Sequence, residues 1–460
     1  MKARHLYQLL PYDPQYVVAN ETSLLTKYFR LFALAAAGGT AAYVAWYPGH
    51  FLLAIGALPL LWGATRSRAE AGALWLGYYL AGARDIPVMC ARFFSGYGEF
   101  DASIAYALGA GLWLVQALLL ASPWAIAYAA RARAWGTACG AMLGTIAVSV
   151  PPIGVIGWLS PLHIASVLCP GAGVLGAATA IVVIGALAAF GRTRTGLTAV
   201  VVLIIAGAAY SFGAGQLIRA PVPKGWIAIN TTFGKRADGG YASAQARTAE
   251  LQAQVRAELE RGARVVVLPE EVPGEWRPST AYWWRSIAEA ARDSGQTIVV
   301  GGDIPVDSRQ RRATPTGPES AAGEISAVAD AKVRYTDSAI GIGADPFVFD
   351  SRQPIPAGLW RPWAAVSAAR GAVGQPLPVI DGVKAAPSIC YEDFLWWPHW
   401  RAIVQGAGVF VAMSNVWFAD DLAVSQIQQQ SLESIAKIAG VSVLRAANRS
   451  RAVRMTTARS

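Results

Sequence analysis

Two residues in the C-terminal half of this 460-residue chain have the side chains expected of a nucleophile and its base. Cys390 follows the apolar run 386–389, and Glu270 ends another apolar run, 264–269. A thiol attacks as its thiolate, so it needs a base or a positive charge nearby. A residue at the turn from a strand to a helix is exposed, and the next backbone N–H can point at an oxyanion. The pattern therefore indicates covalent catalysis at Cys390 with Glu270 as the base.

Other interpretations of Cys390 remain open at this stage. His399 is a second candidate base, although its Trp-rich segment is predicted to be a surface loop. Without any chemistry, Cys390 is either a small buried residue or the disulfide partner of Cys90. Spacing alone does not separate these interpretations.

The C-terminal half contains alternating helix and strand patterns that favour an α/β fold, a mixed sandwich of sheets and helices. A polar loop is predicted over 305–330. Three helices are predicted, at 241–261, 280–294 and 422–439. The predicted strands are 226–230, 264–270, 297–303, 338–343, 346–349, 378–380, 383–389, 408–413 and 441–446.

Charged residues are scarce in the first half of the chain. Only 15% of the whole sequence is charged and 54% is hydrophobic, against about 25% charged in a usual soluble protein. Residues 1–220 hold 13 of the 39 basic and 6 of the 29 acidic side chains. This distribution excludes disorder, a fibrous protein and an ordinary cytosolic enzyme. It predicts a transmembrane domain over 1–220 and a water-soluble domain over 221–460. Most of the net charge of +10 lies in the first half, so a nucleic-acid partner is not expected.

Apolar runs between charged residues predict about seven membrane spans, since a crossing helix needs about 20 apolar residues. The spans are 28–47, 51–65, 70–83, 103–122, 135–158, 163–190 and 195–218. Ten basic residues flank one side of these spans and three flank the other, so the richer side is predicted to be cytoplasmic. Seven crossings then place residues 221–460 in the periplasm, against a bacterial inner membrane.

The soluble half contains three clusters of tryptophan residues. We expect them to form an aromatic belt at the membrane surface rather than core. The clusters are Trp283 and Trp284, Trp360 and Trp363, and Trp396, Trp397 and Trp400.

Four motifs resemble, in content and order, those of the nitrilase (carbon–nitrogen hydrolase) superfamily. With spans in front of them, the chain is similar to the membrane branch that includes bacterial apolipoprotein N-acyltransferase, and within that branch to a conjugal-transfer protein. The motifs are Leu268-Pro269-Glu270, Cys390-Tyr391-Glu392, Ser414-Asn415-Val416-Trp417-Phe418 and Leu444-Arg445-Ala446-Ala447-Asn448-Arg449-Ser450.

This resemblance implies an αββα sandwich whose catalytic triad is Glu, Lys and Cys, with no metal or cofactor. Its base falls on Glu270 and its nucleophile, which forms a thioester, on Cys390. Its second acid falls on Glu392, and the backbone N–H of Tyr391 would complete the oxyanion hole.

The lysine of that triad is the departure from the family pattern. The family stretch Lys-Arg-His-Leu-Val-Pro-Phe-Gly-Glu corresponds to residues 350–359, which places Arg352 at or beside the lysine. An arginine stabilises negative charge but does not give up a proton at ordinary pH. Lys332 and Lys384 are substitutes in principle.

Three functions follow from these observations. The first is a membrane enzyme that moves an acyl group from a lipid donor to an amine, such as a lipoprotein, or hydrolyses an amide. The second is an impaired component of a conjugation apparatus, with conjugation proteins as partners. The third is a tethered amidase for soluble substrates, which predicts activity in an isolated 221–460 fragment.

Overall fold

The computed structural model describes residues 14–130, 132–191, 193, 198, 220–235, 241–306 and 333–450. Its N-terminal part is entirely helical. The helices are α1 (Pro14–Ala45), α2 (Ala57–Gly63), α3 (Arg68–Gly82), α4 (Ile86–Gly96), α5 (Ala102–Ala127), α6 (Ala134–Ser149), α7 (Ala165–Leu168) and α8 (Gly173–Phe190). Short 3₁₀ turns lie between them at Leu52–Gly56, Ile153–Ile156 and Pro161–Ile164.

Two of the described helices, α5 and α8, are long and apolar enough to cross a membrane. The predicted span at 51–65 is instead a 3₁₀ turn followed by α2, whose seven residues rise only about 10 Å. The predicted span at 195–218 lies outside the described residues, apart from residue 198. The count of seven crossings, and the orientation that depends on it, therefore remain predictions.

Several helices in this part differ from the predicted spans. Helix α6 ends at Ser149 rather than continuing to 158, because a proline disfavours helical backbone in the residue before it and Val150 is extended. Helix α4 was not predicted at all. It is amphipathic, it has a proline in its first turn, and it buries Ile86 and Cys90.

The C-terminal part consists of two β-sheets and their covering helices, so the predicted α/β fold is confirmed. Its helices are α9 (Tyr241–Glu260), α10 (Pro278–Asp293), α11 (Trp400–Val404) and α12 (Ala423–Ala439), with 3₁₀ turns at Cys390–Phe394 and Trp397–His399. Its strands are β1 (Trp226–Ala228), β2 (Val265–Val267), β3 (Thr297–Pro305), β4 (Val333–Gly343), β5 (Phe347–Asp350), β6 (Val366–Ala368), β7 (Val379–Ile380), β8 (Val383–Ile389), β9 (Val409–Asn415) and β10 (Ser442–Asn448).

The first sheet has the order β1-β2-β3-β4-β5, and β6 pairs with β4; the second has the order β10-β9-β8-β7. Strands β1, β2 and β3 are parallel, whereas β4 runs antiparallel to β3. Strands β8, β9 and β10 are parallel. The antiparallel β4 therefore begins at the edge of the first sheet where β2 and β3 end.

Side chains along β2 and β3 point alternately to the two faces of the first sheet, and each face packs against a different layer. Val266 and Ile298 pack under α9 and α10 in one hydrophobic cluster. Val265, Val267 and Val299 point the other way and join a cluster that includes the second sheet. Strands β2 and β3 therefore bury both of their faces.

The helical part and the α/β part share this second cluster. Trp158 stacks on Phe394 with ring centroids 4.4 Å apart. Arg361 forms an ion pair with Glu99 over 2.8 Å. The Tyr391 hydroxyl donates to the carbonyl of Val155 over 3.0 Å. These contacts pack the helical part and the α/β part together as one unit.

Asp85 joins the two parts through a helix cap. Helix α12 has no side-chain cap of its own, and the Val424 amide in its first turn donates to Asp85 Oδ2 over 2.8 Å. We expect Asp85→Ala to lower the free energy of unfolding by about 1 kcal/mol, the usual cost of losing a cap. Thermal unfolding in detergent measures this change. Asp85→Asn keeps an acceptor oxygen and should lose much less; equal losses in both variants would contradict the capping role.

Candidate active site

Cys390 lies at a sharp turn between a strand and a 3₁₀ helix, as predicted, but it is buried rather than exposed. Strand β8 ends at Ile389, and the 3₁₀ turn begins at Cys390 itself. The backbone φ of Cys390 is +47°, in the left-handed region that a non-glycine residue rarely adopts. Such a conformation persists only where its surroundings hold it, and it is frequent at functional sites.

Glu270 lies against this thiol. It follows β2 of the first sheet, and its Oε2 accepts a 2.8 Å hydrogen bond from the Asn415 amide at the end of β9 in the second sheet. The Cys390 thiol lies beside the Glu270 carboxyl and interacts with it electrostatically. The carboxyl ends of strands from both sheets thus meet here, and they bring together the two residues predicted as nucleophile and base.

Asp337 is a third member of the site that sequence reasoning missed. Its carboxyl is 2% exposed and hydrogen-bonded to Glu270. It reaches the site because β4 is antiparallel and pairs Asp337 with Asp303 at the edge where β2 ends. The available signal was an acidic residue directly before the apolar run 338–343, but the direction of that strand is not visible in the sequence.

Burial raises the pKa values of all three groups. It raises the pKa of Glu270 to about 8. It also raises the pKa of Asp337 well above its usual range, and the adjacent Glu270 carboxyl adds to this effect. The pKa of Cys390 is raised first by burial and then by the negative charge of Glu270.

Within the described part of the chain, no lysine or arginine side chain is hydrogen-bonded to Glu270, Asp337 or Cys390. No lysine or arginine of the described residues is therefore in place to stabilise a resting thiolate by direct contact. For this thiol to attack, its proton would have to pass to Glu270 in the same step.

Arg352 makes its contacts elsewhere. Its guanidinium forms a two-pronged ion pair with Glu392, with 3.1 Å and 2.7 Å hydrogen bonds, and also donates to the carbonyls of Pro387 and Pro398. The structure therefore places Arg352 on the second acid rather than on the thiol. The neighbouring Ser351 is fully buried, and its hydroxyl has no hydrogen-bond partner among the described residues.

Glu392 supports the turn that carries the nucleophile. Besides Arg352, it accepts hydrogen bonds from the backbone amides of Gln353 and Ile389, over 3.2 Å and 3.3 Å. Ile389 directly precedes Cys390. The predicted supporting role of Glu392 therefore has a geometric basis, because the ion pair fixes both strands that flank the site.

The Tyr391 amide, the predicted oxyanion donor, follows Cys390 in the first turn of the 3₁₀ helix.

A second polar cluster contacts this turn from the side of α12. Gln428 Nε2 of α12 donates to the Cys390 carbonyl over 2.9 Å and to Asp393 Oδ2 over 3.0 Å. Asp393 is in turn ion-paired with Arg445 over 2.8 Å.

The alternative partners of Cys390 are not supported. His399 is fully buried rather than in a surface loop, and its Nε2 lies 3.0 Å from the Glu392 carbonyl oxygen. Cys90 and Cys390 are both free thiols. Lys384 donates to the Gln405 carbonyl at an exposed position, and Lys332 lies outside the described residues.

The prediction of an aromatic belt was wrong for three tryptophans. Trp284, Trp396 and Trp397 are buried and contribute to the core, because the segments that carry them fold inward. Trp363 and Trp400 are exposed.

A polar cleft of about 260 Å³ lies beside the buried centre, between α4 and the α/β part. Glu271, the neighbour of Glu270, lines it together with Asp303, Tyr335, Glu99 and Arg361. A smaller apolar slot of about 50 Å³ runs between α4, α5 and residues 355–358. Phe93 and Gly358 line both spaces, so the slot and the cleft adjoin.

Solved structures that the chain is similar to are carbon–nitrogen hydrolases. An amidase of the nitrilase superfamily from Nesterenkonia AN1 is 17% identical over 50% of this chain and 79% of that chain, with a TM-score of 0.33. A carbon–nitrogen hydrolase from Helicobacter pylori G27 is 14% identical over 49% and 72% of the two chains, with a TM-score of 0.34. No protein-family model matches the chain.

Curated relatives match over most of the length. The conjugal transfer protein TraB of Agrobacterium fabrum is 27% identical over 402 residues, which are 85% of this chain and 86% of the relative. The probable conjugal transfer protein TraB of Sinorhizobium fredii is 24% identical over 86% of this chain and 92% of the relative. TraB is the conjugal-transfer protein that the motifs favoured, and the predicted resemblance is confirmed.

Proposed function

We propose that this chain is a membrane-bound thiol enzyme of the carbon–nitrogen hydrolase type that transfers an acyl group from a lipid donor to an amine. The observation that carries the proposal is the placement of the buried Cys390 thiol beside the buried Glu270 carboxyl at a left-handed strand-to-helix turn. The names of the relatives support a role for this activity in plasmid conjugal transfer.

The chemistry requires two steps. The Glu270 carboxylate takes the thiol proton while Cys390 Sγ bonds to the acyl carbon, and the leaving group departs with that proton. An amine then attacks the thioester, the C–S bond breaks, and the thiol regains a proton. The Tyr391 amide is the proposed donor to the oxyanion in both steps, while Glu392 and Arg352 hold the turn in place.

The helical part supports a lipid donor. Helix α5 is apolar along 26 residues and exposes leucine side chains, and Leu112 of this helix also lines the apolar slot. An acyl chain entering from the bilayer beside α5 would reach the polar cleft through the slot. We place this membrane helix bundle in the bacterial inner membrane with the catalytic part on the periplasmic side.

Covalent labelling tests the proposal. An alkyne-bearing fatty acid p-nitrophenyl ester is added to membranes containing the full chain, and the labelled peptide is identified by mass spectrometry. We expect acylation at Cys390 that neutral hydroxylamine reverses, no label in Cys390→Ala, and loss of plasmid transfer in the same variant. Cys169, a partly buried thiol outside the cleft and the slot, serves as the matched control, since Cys169→Ala should keep both the label and the transfer. Absence of labelling, with transfer intact in Cys390→Ala, would exclude the enzyme.

One observation favours a second candidate, a conjugation component that retains the fold without catalysis. No cation contacts the thiol among the described residues, and Arg352 is held by Glu392. This candidate requires that Cys390→Ala supports plasmid transfer at the wild-type frequency.

A further inference from the structure

We propose that Asp337 is a positioning residue that holds the proton of a carboxylic acid pair and donates it as a hydrogen bond to Glu270, which favours the ionised form of Glu270 that acts as the base for Cys390. This inference rests on the proposed role of Glu270. It places a neutral acid, Asp337, in a site where the family resemblance implies a lysine.

The shared proton follows from the contact between the two acids. The carboxyls of Glu270 and Asp337 are hydrogen-bonded to each other and are 4% and 2% exposed. Two carboxylates in contact without solvent cannot both be ionised, so at least one of them holds a proton at neutral pH, and one remains when the other ionises.

The other contacts of the two groups decide which acid is protonated. Glu270 also receives a hydrogen bond from the Asn415 amide and lies beside the Cys390 thiol, and both contacts favour its charged form. Asp337 Oδ1 is buried and has no hydrogen-bond partner among the described residues. An unpartnered oxygen in a dry site is tolerated in a neutral carboxyl and is costly in a carboxylate. The proton therefore resides on Asp337.

The charges around the pair add to this preference. The groups that face the two carboxyls are acidic: Glu271 beside Glu270, Asp303 across the strand pair from Asp337, and Glu392 from the turn after Cys390. The Arg352 guanidinium lies nearby, but it is ion-paired with Glu392. A second negative charge on Asp337 would face three acids.

The rate of alkylation of Cys390 by iodoacetamide tests the inference without requiring an acyl substrate. The full chain in detergent is sampled from pH 5 to pH 10, and the Cys390 peptide is quantified by mass spectrometry. Asp337→Asn keeps a permanent donor to Glu270, so we expect its midpoint within about half a pH unit of the wild type. Asp337→Ala removes the donor, so the midpoint should rise by about one unit and the rate at pH 7 should fall about tenfold.

Matched outcomes keep the two proposals apart. Asp350→Asn, an aspartate on β5 that accepts from Ser338, is the control and should leave the profile unchanged. If Asp337→Asn shifts the midpoint as far as Asp337→Ala does, the donor role is wrong. If the alanine variant does not fold, a rise of about one pH unit in Asp337→Asn contradicts the donor role by itself. If both Asp337 variants give the expected profiles but acyl labelling is absent, the enzymatic function is wrong and the proposed acid pair is still supported.

Discussion

Glu270→Gln is expected to slow acylation of Cys390 by about 10²- to 10⁴-fold, the range typical of a lost general base. The effect should be large here because burial and the charge of Glu270 raise the pKa of the thiol, so little thiolate exists before the reaction. Glutamine preserves the size of the side chain and the Asn415 contact, and removes the group that accepts the proton. The initial rate of acyl labelling measures the change.

The pH profile gives this prediction a second measurement. Because the pKa of Glu270 is raised to about 8, its carboxylate is scarce at pH 6 and accumulates as the pH rises. The wild-type rate should therefore increase up to about tenfold per pH unit below pH 8 and then level off. In Glu270→Gln this limb should disappear.

Glu275→Gln is the matched control for this experiment. Glu275 lines the neighbouring cleft and is ion-paired with Arg277 at the surface, so its loss should change the labelling rate less than threefold. Equal losses in both variants would mean that the negative charge of the region, rather than a base at Glu270, supports the reaction.

Glu392→Ala is expected to lower the free energy of unfolding by about 3–5 kcal/mol, because it leaves the buried guanidinium of Arg352 without its partner. The two side chains are 0% and 3% exposed, and the guanidinium also bonds to two carbonyls that cannot neutralise it. Chemical denaturation in detergent measures the loss. The alkylation rate of Cys390 reports separately whether the turn after Ile389 has moved.

A double variant separates the cost of an unpaired charge from the value of the pair. Replacing both residues with apolar ones, as in Arg352→Met with Glu392→Leu, should recover most of the stability. Catalysis should not recover, since the amide of Ile389 has lost its acceptor. If the double variant is as unstable as Glu392→Ala, the packing of the pair contributes more than its charge does.

The contrast between Glu270 and Asp337 shows how far the sequence leads toward the site. Both acids adjoin apolar strands, and Glu270 was predicted because its strand visibly ends in a carboxylate. Asp337 was missed because β4 runs antiparallel to β3, and strand direction results from pairing between distant segments. No local pattern around residue 337 encodes that pairing.

Arg352 and His399 show a related limit. Position along the chain places Arg352 beside the family lysine, yet the direction of its side chain depends on Glu392, forty residues later. The segment around His399 is rich in tryptophan, and only the packing of the turn against β8 decides that this histidine is buried and neutral.

The sequence by itself determined the α/β fold of the C-terminal half and most of its strands, and it singled out residues 390 and 270 as the proposed nucleophile and base. These features depend on local hydrophobic periodicity and on residue types at the ends of strands, which neighbouring residues largely specify. The tertiary structure alone decided the acid pair, the partner of Arg352, and the common core that joins the helical part to the α/β part. Each of these is a contact between segments far apart in the chain, and it exists only once the sheets and helices have packed together.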